Sequence, residues 1–353
     1  MTPFFIGLIG FSVTFVCIAV LRSIALKVGY TDKPGGRKTH QHPTPVVGGM
    51  AMGIGLIVSG FFLPIALTSY EGLIAGSLLL LMVGAIDDML DVSAKFRLLI
   101  QFVAALIVIF FGNDCIIHLG AIFGAGSVSL NYPLGLVLTV ICIVGYINAM
   151  NMLDGLDGLA GGVMTLQVVF MLLLVIHAGV VIDCYFLAVL LAVLLAFLCF
   201  NFPFFGRRHA MVFMGDAGSM SLGFIIIWFS IKSSQLSPIV AHPVIFLWIA
   251  ALPIFEIGYA VLRRVMIGVS PFRPDRKHLH HLLHDRGWGT LRVVAFEMSI
   301  GLITGAMGVL GQLLGWSEVL LFWSFVICFI GYTIFMSYLV YRKPLHQGVR
   351  IPS

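Results

Sequence analysis

The chain alternates long, unbroken apolar stretches with short polar segments, and it lacks the period-two alternation that marks outer-membrane barrel strands. Each stretch approaches or reaches the roughly 20 residues a helix needs to cross the hydrocarbon core of a bilayer. Eleven spans are predicted, near residues 3–21, 46–68, 72–86, 98–111, 133–149, 159–177, 180–200, 217–231, 240–258, 293–314 and 319–340. The third and fourth are short for a crossing, so their helices are expected to run into the polar residues beside them. The first has no basic residue ahead of it and no small-residue cleavage site, and it reads as a retained helix rather than a signal peptide.

Composition agrees with this pattern. Of 353 residues, 60% are hydrophobic and only 10% charged, against about 25% charged in soluble domains. Mean hydropathy is +1.09. The expected fold is an all-α polytopic membrane protein, with residues 1–353 forming a single integral membrane domain. Placing the N-terminus outside puts every lysine and arginine except Lys232 in an inner loop or tail. The positive-inside rule then gives about 11 transmembrane helices and a cytoplasmic C-terminus. The net charge of +5 is explained by this topology and calls for no nucleic-acid partner. The six cysteines show no CxxC spacing; a bridge between Cys115 and Cys184 near the outer side is conceivable, although bundle packing needs no staple. The outer loop at 113–132 contains the alternating run SVSLNY and suggests a small hairpin.

The chemistry sits in the inner loops, at 22–45, 87–97, 150–160, 201–218 and 259–292. Six aspartates occur there in three clusters: IDDMLD (Asp87, Asp88, Asp91), NMLDGLDGLAGG (Asp154, Asp157) and VFMGDAGS (Asp216). Carboxylates at a membrane boundary are costly to desolvate, so their recurrence marks a site. If the helix continues through Asp91, all three aspartates of the first cluster lie near one face and repel unless a cation or donor compensates. Mg²⁺, which takes hard oxygen ligands and leaves room for substrate phosphates, suits such a cluster. The bland alternative is a solvated helix end paired with Lys95 or Arg97. Close helix packing explains the glycines of the second cluster but neither its carboxylates nor Asn151. In the third, Phe213 offers a flat face to a nucleobase, while GDAGS also serves as a helix cap.

The longest inner loop carries Arg263 and Arg264, then SPFRPDRKHLHHLLHDRG with His278, His280, His281 and His284 among basic residues. Zinc sites seldom set so many cations against their ligands. An anion-binding wall that contacts phosphate oxygens or sugar hydroxyls fits better. The first inner loop, GGRKTHQHPTPVVGG, is similar, with Lys38 and His40.

In order, DDMLD, NMLDGLDGLAGG, VFMGDAGS and PDRKHLHH resemble the polyprenyl-phosphate N-acetylhexosamine-1-phosphate transferases, over about residues 30 to 285. The HLHH form, with GRR before VFMGD, is similar to the bacterial undecaprenyl-phosphate N-acetylglucosamine-1-phosphate transferases, which start O-antigen and enterobacterial common antigen synthesis. The muramoyl-pentapeptide branch has a PLHHHFE-like motif instead, and the lysine of its first loop falls on Gln41 here, leaving Lys38 or His40 as substitutes. The resemblance implies Asp87, Asp88 and Asp91 as catalytic, Asp216 as a ligand of Mg²⁺ (Mn²⁺ being an alternative), and Phe213 stacked on uracil. It implies a nucleotide pocket of Asn151, Asp154, Gly155, Leu156 and Asp157, with Asn201 as a further active-site asparagine. His278, His280, His281 and Arg263 complete the substrate contacts. The implied partners are UDP-GlcNAc, undecaprenyl phosphate and membrane lipid, with a homodimer compatible, and the implied location is the bacterial inner membrane.

Physical chemistry constrains the reaction. A phosphomonoester has a second pKa near 6, so at pH 7 the lipid phosphate is mostly a dianion and can attack without an obligatory general base. A covalent aspartyl route through Asp87 or Asp88 stays open. A transporter of polyprenyl-linked sugars would place carboxylates within its spans, whereas only Glu256 and Glu297 come near, at inner boundaries. A CDP-alcohol phosphotransferase would show DGxxAR, and DGLDGLAGG lacks that arginine.

Overall fold

A computed structural model describes residues 2–32, 43–64, 70–112, 114–203, 207, 209–235, 239–271, 273 and 275–342. Thirteen helices occur among them: α1 (Pro3–Val28), α2 (Gly48–Gly60), α3 (Glu71–Leu90), α4 (Ala94–Gly112), α5 (Tyr132–Leu153), α6 (Leu159–His177), α7 (Val181–Asn201), α8 (Gly215–Gln235), α9 (Pro243–Ile249), α10 (Ala251–Met266), α11 (Leu279–His284), α12 (Thr290–Leu313) and α13 (Glu318–Tyr341). Eight of these are long and apolar enough to cross a membrane: α1, α3, α4, α5, α6, α7, α12 and α13. The protein is therefore a helical, multi-pass membrane protein.

Helix length departs from expectation at informative places. As the short third and fourth stretches suggested, α3 and α4 extend into their polar flanks, carrying Asp87, Asp88, Lys95 and Arg97 into helix. Among the described residues of the stretch at 46–68 the only helix is the 13-residue α2, and Pro64 beyond it lacks the N–H to continue one. The stretch at 240–258 breaks into α9 and α10, bent by 80°. Pro253, in the first turn of α10, lacks the N–H a continuous helix would need and crowds the carbonyl four residues back.

The expected helix through Asp91 does not form. α3 stops at Leu90, Asp91 adopts a left-handed conformation (φ 50°) as the C-cap, and its N–H bonds back to the Asp87 carbonyl. Asp91 is thus turned out of the row that Asp87 begins, and it is exposed.

The nearly fully buried α8 lies at the centre of the bundle, packed against α2, α3 and α5. Missing side chains permit its close contacts. A Cβ on Gly49 would lie 2.2 Å from the Gly218 nitrogen, and one on Gly84 would lie 2.4 Å from the Ala217 Cα. Those two contacts bring the N-terminal ends of α2 and α8 together with the C-terminal half of α3.

The segment at 113–132 forms the expected hairpin, β3 (His118–Gly120) with β4 (Val128–Ser129). A second antiparallel pair, β1 (Thr31–Asp32) with β2 (Thr44–Pro45), joins the two ends of the segment between α1 and α2. All six cysteines are free, so no Cys115–Cys184 bridge forms. Carboxylates do enter the bundle. Asp183 is paired with Lys232 at 3.1 Å and accepts from the Tyr70 hydroxyl at 3.0 Å. Glu256 and Glu297 are fully enclosed by the protein.

Candidate active site

The C-terminal ends of α3 and α5 and the N-terminal ends of α4 and α8 converge on one acidic pocket. Val46 to Gly49 lie alongside the VFMGD segment: Gly48 and Gly49 donate to the carbonyls of Phe213 and Met214, and Phe213 donates to Pro45. The chain then turns at Gly215, whose φ of +73° is the left-handed region that glycine tolerates. Asp88 accepts the first N–H groups of α8, from Asp216 at 2.7 Å and Ala217 at 3.3 Å, so a carboxylate from another helix caps α8.

Arg97 of α4 reaches into this pocket. Its Nη1 is 3.0 Å from both Asp87 Oδ2 and Asp216 Oδ2. Asp87 is buried, and its other oxygen accepts from the Val92 N–H at 2.6 Å. Asp216 Oδ1 accepts from the Asn151 side chain, which also donates to Ser219 Oγ at 2.9 Å. Asn151 thus joins the end of α5 to the start of α8.

The DGLDG turn brings the second acidic cluster to the same place. Asp154 accepts from the Gly215 N–H, and burial, followed by the charges of Asp216, Asp88 and Asp157, pushes its carboxyl well above the usual carboxylate range. Asp157 Oδ2 accepts from the Ala210 N–H at 2.8 Å. Asn201 is buried and works on the backbone, accepting from Gly158 N–H at 2.8 Å and donating to the Val212 carbonyl at 2.9 Å. It fixes the turn relative to VFMGD instead of facing the pocket. The Leu156 side chain belongs to the core, leaving its backbone as the part available to a ligand.

The histidine loop closes over this turn. His280 is 1% exposed, and neither ring nitrogen has a hydrogen-bond partner. A Cβ on Gly155 would lie 2.8 Å from His280 Nε2. Burial, then the positive surroundings of His281, His278 and Arg276, hold the His280 pKa well below its ordinary value. His281 is lowered to about 4, by burial and then Arg276. Both rings are therefore neutral, and as a wall for anions these two histidines are the wrong charge. A neutral imidazole offers one donor and one acceptor, which suits sugar hydroxyls and amides.

Arg263 also departs from its expected role. Together with Arg264, whose Nε lies 2.8 Å away, it is paired with Asp275. Desolvation opposes ionisation of Asp275, but hydrogen bonds from Arg264 and the Lys277 N–H, with the two guanidinium charges, hold its carboxyl below its ordinary value. Arg263 fastens the base of the loop. Lys38 and His40 lie outside the described residues.

Arg97 was visible in the sequence only as one of two cations near a helix end; its place between two aspartate clusters gave no periodic signal. The acidic pocket also bears on the implied metal. Among the described residues no group of three or more His, Cys, Asp or Glu side chains converges as a ready-made metal cage. An all-oxygen donor set, with the Asp154 carboxyl driven towards its neutral form by burial and then by its neighbours, instead fits a hard divalent cation held by one or two carboxylates and completed by substrate phosphates.

Fold and site together define a polytopic membrane enzyme whose acidic pocket, at one end of the bundle, is built to handle phosphates with a neutral imidazole pair alongside. Residues 70–234 match the family described as glycosyl transferase family 4. The chain is 33% identical over 342 residues to the undecaprenyl-phosphate alpha-N-acetylglucosaminyl 1-phosphate transferase of Haemophilus influenzae, covering 97% of this chain and 93% of that one. It is 32% identical over 302 residues to the protein of that name in Escherichia coli O157:H7, and 33% over 306 residues to that in Salmonella typhi, covering 86% of this chain and 82% of theirs in both cases. This chain belongs to glycosyl transferase family 4 and is a phosphoglycosyl transferase.

Proposed function

We propose that the enzyme transfers N-acetylglucosamine 1-phosphate from UDP-GlcNAc to undecaprenyl phosphate, giving undecaprenyl-diphosphate-GlcNAc and UMP, as the first membrane step of O-antigen or enterobacterial common antigen synthesis. The observation that carries this reading is the convergence of Asp88, Asp154, Asp157 and Asp216 beside the two unpartnered nitrogens of His280. A diphosphate seated over the acidic groups would bring its sugar towards that ring. The relatives named above, each an undecaprenyl-phosphate transferase of N-acetylglucosaminyl 1-phosphate, support this transferred group and acceptor.

In this reading Phe213 stacks on uracil, and Asn151, Asp154, Asp157 and the backbone at Gly155 and Leu156 line the nucleotide. Asn201 holds that turn in place. Asp216 and Asp154 are the residues that would hold Mg²⁺, or Mn²⁺ in its place. The cation would neutralise phosphate charge at the leaving UMP. Arg97 supplies a fixed positive charge between the clusters. Asp88 is engaged by two backbone N–H groups, and Asp87 by Val92 and Arg97, so both carboxylates have positioning work of their own. That favours direct in-line attack by the lipid phosphate dianion over an aspartyl intermediate. The chain would cross the inner membrane eleven times, N-terminus out and C-terminus in, with Lys38 and His40 adding to the cytoplasmic site.

Purified enzyme in nanodiscs, given undecaprenyl phosphate, a divalent cation and a panel of UDP-sugars, should release UMP and form lipid-linked sugar with UDP-GlcNAc. Equal turnover of a different UDP-N-acetylhexosamine would overturn the sugar assignment.

A further inference from the structure

The helix α11 starts at Leu279 without help from its own N-cap, since His278 makes no side-chain capping bond there. The missing acceptor comes from elsewhere in the bundle. Glu256 of α10, 1% exposed, accepts from the Leu279 N–H through Oε1 at 3.1 Å. Its Oε2 lies 3.1 Å from His278 Nδ1, and the Tyr332 hydroxyl of α13 donates to Oε1. Seven residues further along α10, about 10 Å at 1.5 Å per residue, Arg263 grips Asp275. One face of α10 therefore holds the loop at two points.

The two bonds from Glu256 do different things. The bond to Leu279 sets where the helix begins. The bond to His278 sets which nitrogen carries the proton, because a carboxylate accepts and cannot donate. The His278 ring makes this bond through Nδ1 and lies 5.9 Å from the His280 ring. The geometry points to Glu256 as a positioning residue for the donor sugar: it holds the proton of His278 on Nδ1, so that Nε2 presents a lone pair to a hydroxyl or amide N–H of the bound sugar nucleotide. The inference rests on the histidine loop serving that substrate, as proposed above. Glutamine at 256 would keep the shape but would present its NH₂ to Nδ1, reversing the tautomer.

The test reads the tautomer directly. ¹⁵N spectra of histidine-labelled enzyme in nanodiscs should show His278, assigned by its loss in His278→Asn, protonated at Nδ1. Glu256→Gln should move the proton to Nε2, and Glu256→Asp should restore Nδ1. In turnover, Glu256→Gln should raise KM for UDP-GlcNAc by about tenfold, the scale of leaving one buried polar group without its partner, with KM for undecaprenyl phosphate unchanged. Adding Glu256→Gln to His278→Asn should cost nothing further in KM. Nε2–H in the native enzyme would overturn the inference even if no variant folds. So would a Glu256→Gln variant with native tautomer and KM, or one that raises both KM values alike. The spectra need no turnover, so an enzyme inactive with UDP-GlcNAc that still shows the Glu256-dependent tautomer would reject the donor assignment and leave the positioning role standing.

Discussion

Arg97 Nη1 stands 3.0 Å from Asp87 and 3.0 Å from Asp216, joining two carboxylates that are 129 residues apart in the chain. The guanidinium stands beside the Asp216 carboxylate proposed above to meet a cation, where the two would compete.

Arg97→Gln is therefore expected to tighten Mg²⁺ binding to the substrate-free enzyme while lowering kcat about 10²-fold, the scale for removing one preorganised charge-stabilising donor. Asp216→Asn should lower turnover at least as far and abolish the gain in Mg²⁺ affinity. Calorimetry on the two variants checks the first statement, and initial rates at saturating Mg²⁺ check the second.

Asp87→Asn and Asp88→Asn should slow the reaction without abolishing UMP formation, because the attacking dianion needs no base. Each also loses structure: Asp87 its Arg97 pair and Asp88 its cap on α8, the latter worth about 1 kcal/mol of stability. Exchange of labelled UMP into UDP-GlcNAc in the absence of lipid phosphate would reject the direct displacement.

Asp154 links pH to stability. Its folded pKa is raised above the unfolded carboxylate value, so below that unfolded value both states are protonated and the group is neutral to stability. As pH rises through the raised folded value, the unfolded state ionises more readily and stability is lost. Metal-free Asp154→Asn should thus match the native protein near pH 4 and exceed its Tm by about 2–4 °C at pH 8, while losing activity. Thermal unfolding across pH measures this, and cation binding to the native enzyme should release protons.

Gly155→Ala would place a methyl carbon 2.8 Å from Nε2 of the buried His280, so the ring must shift. KM for UDP-GlcNAc should rise by roughly 1–3 kcal/mol in equivalent binding energy, with little effect on undecaprenyl phosphate. Titrating each substrate separately decides whether the ring faces sugar or lipid phosphate.

A reporter fused after Ser353 should be active only in the cytoplasm. Activity in the periplasm would reverse the proposed topology and move the acidic pocket to the side that lacks nucleotide sugars.

The sequence by itself determined that the chain is a helical membrane protein, because apolar stretches of crossing length have no other stable form in lipid. It also marked the three aspartate clusters and the histidine loop as chemistry, since charge near hydrocarbon is too costly to keep without use. What only the tertiary structure decided was which polar groups meet and which hold others in place. Asn201 binds backbone, Arg263 binds Asp275, and Asp91 turns outward at a helix end. Arg97 and Glu256, unremarkable as single letters, take central positions. The reason is physical: periodicity reports what one helix does along its own axis, whereas the partner of a buried charge is set by contacts between helices. Those contacts depend here on glycines at 49, 84 and 218 letting backbones approach, a consequence of packing that no single stretch of sequence encodes.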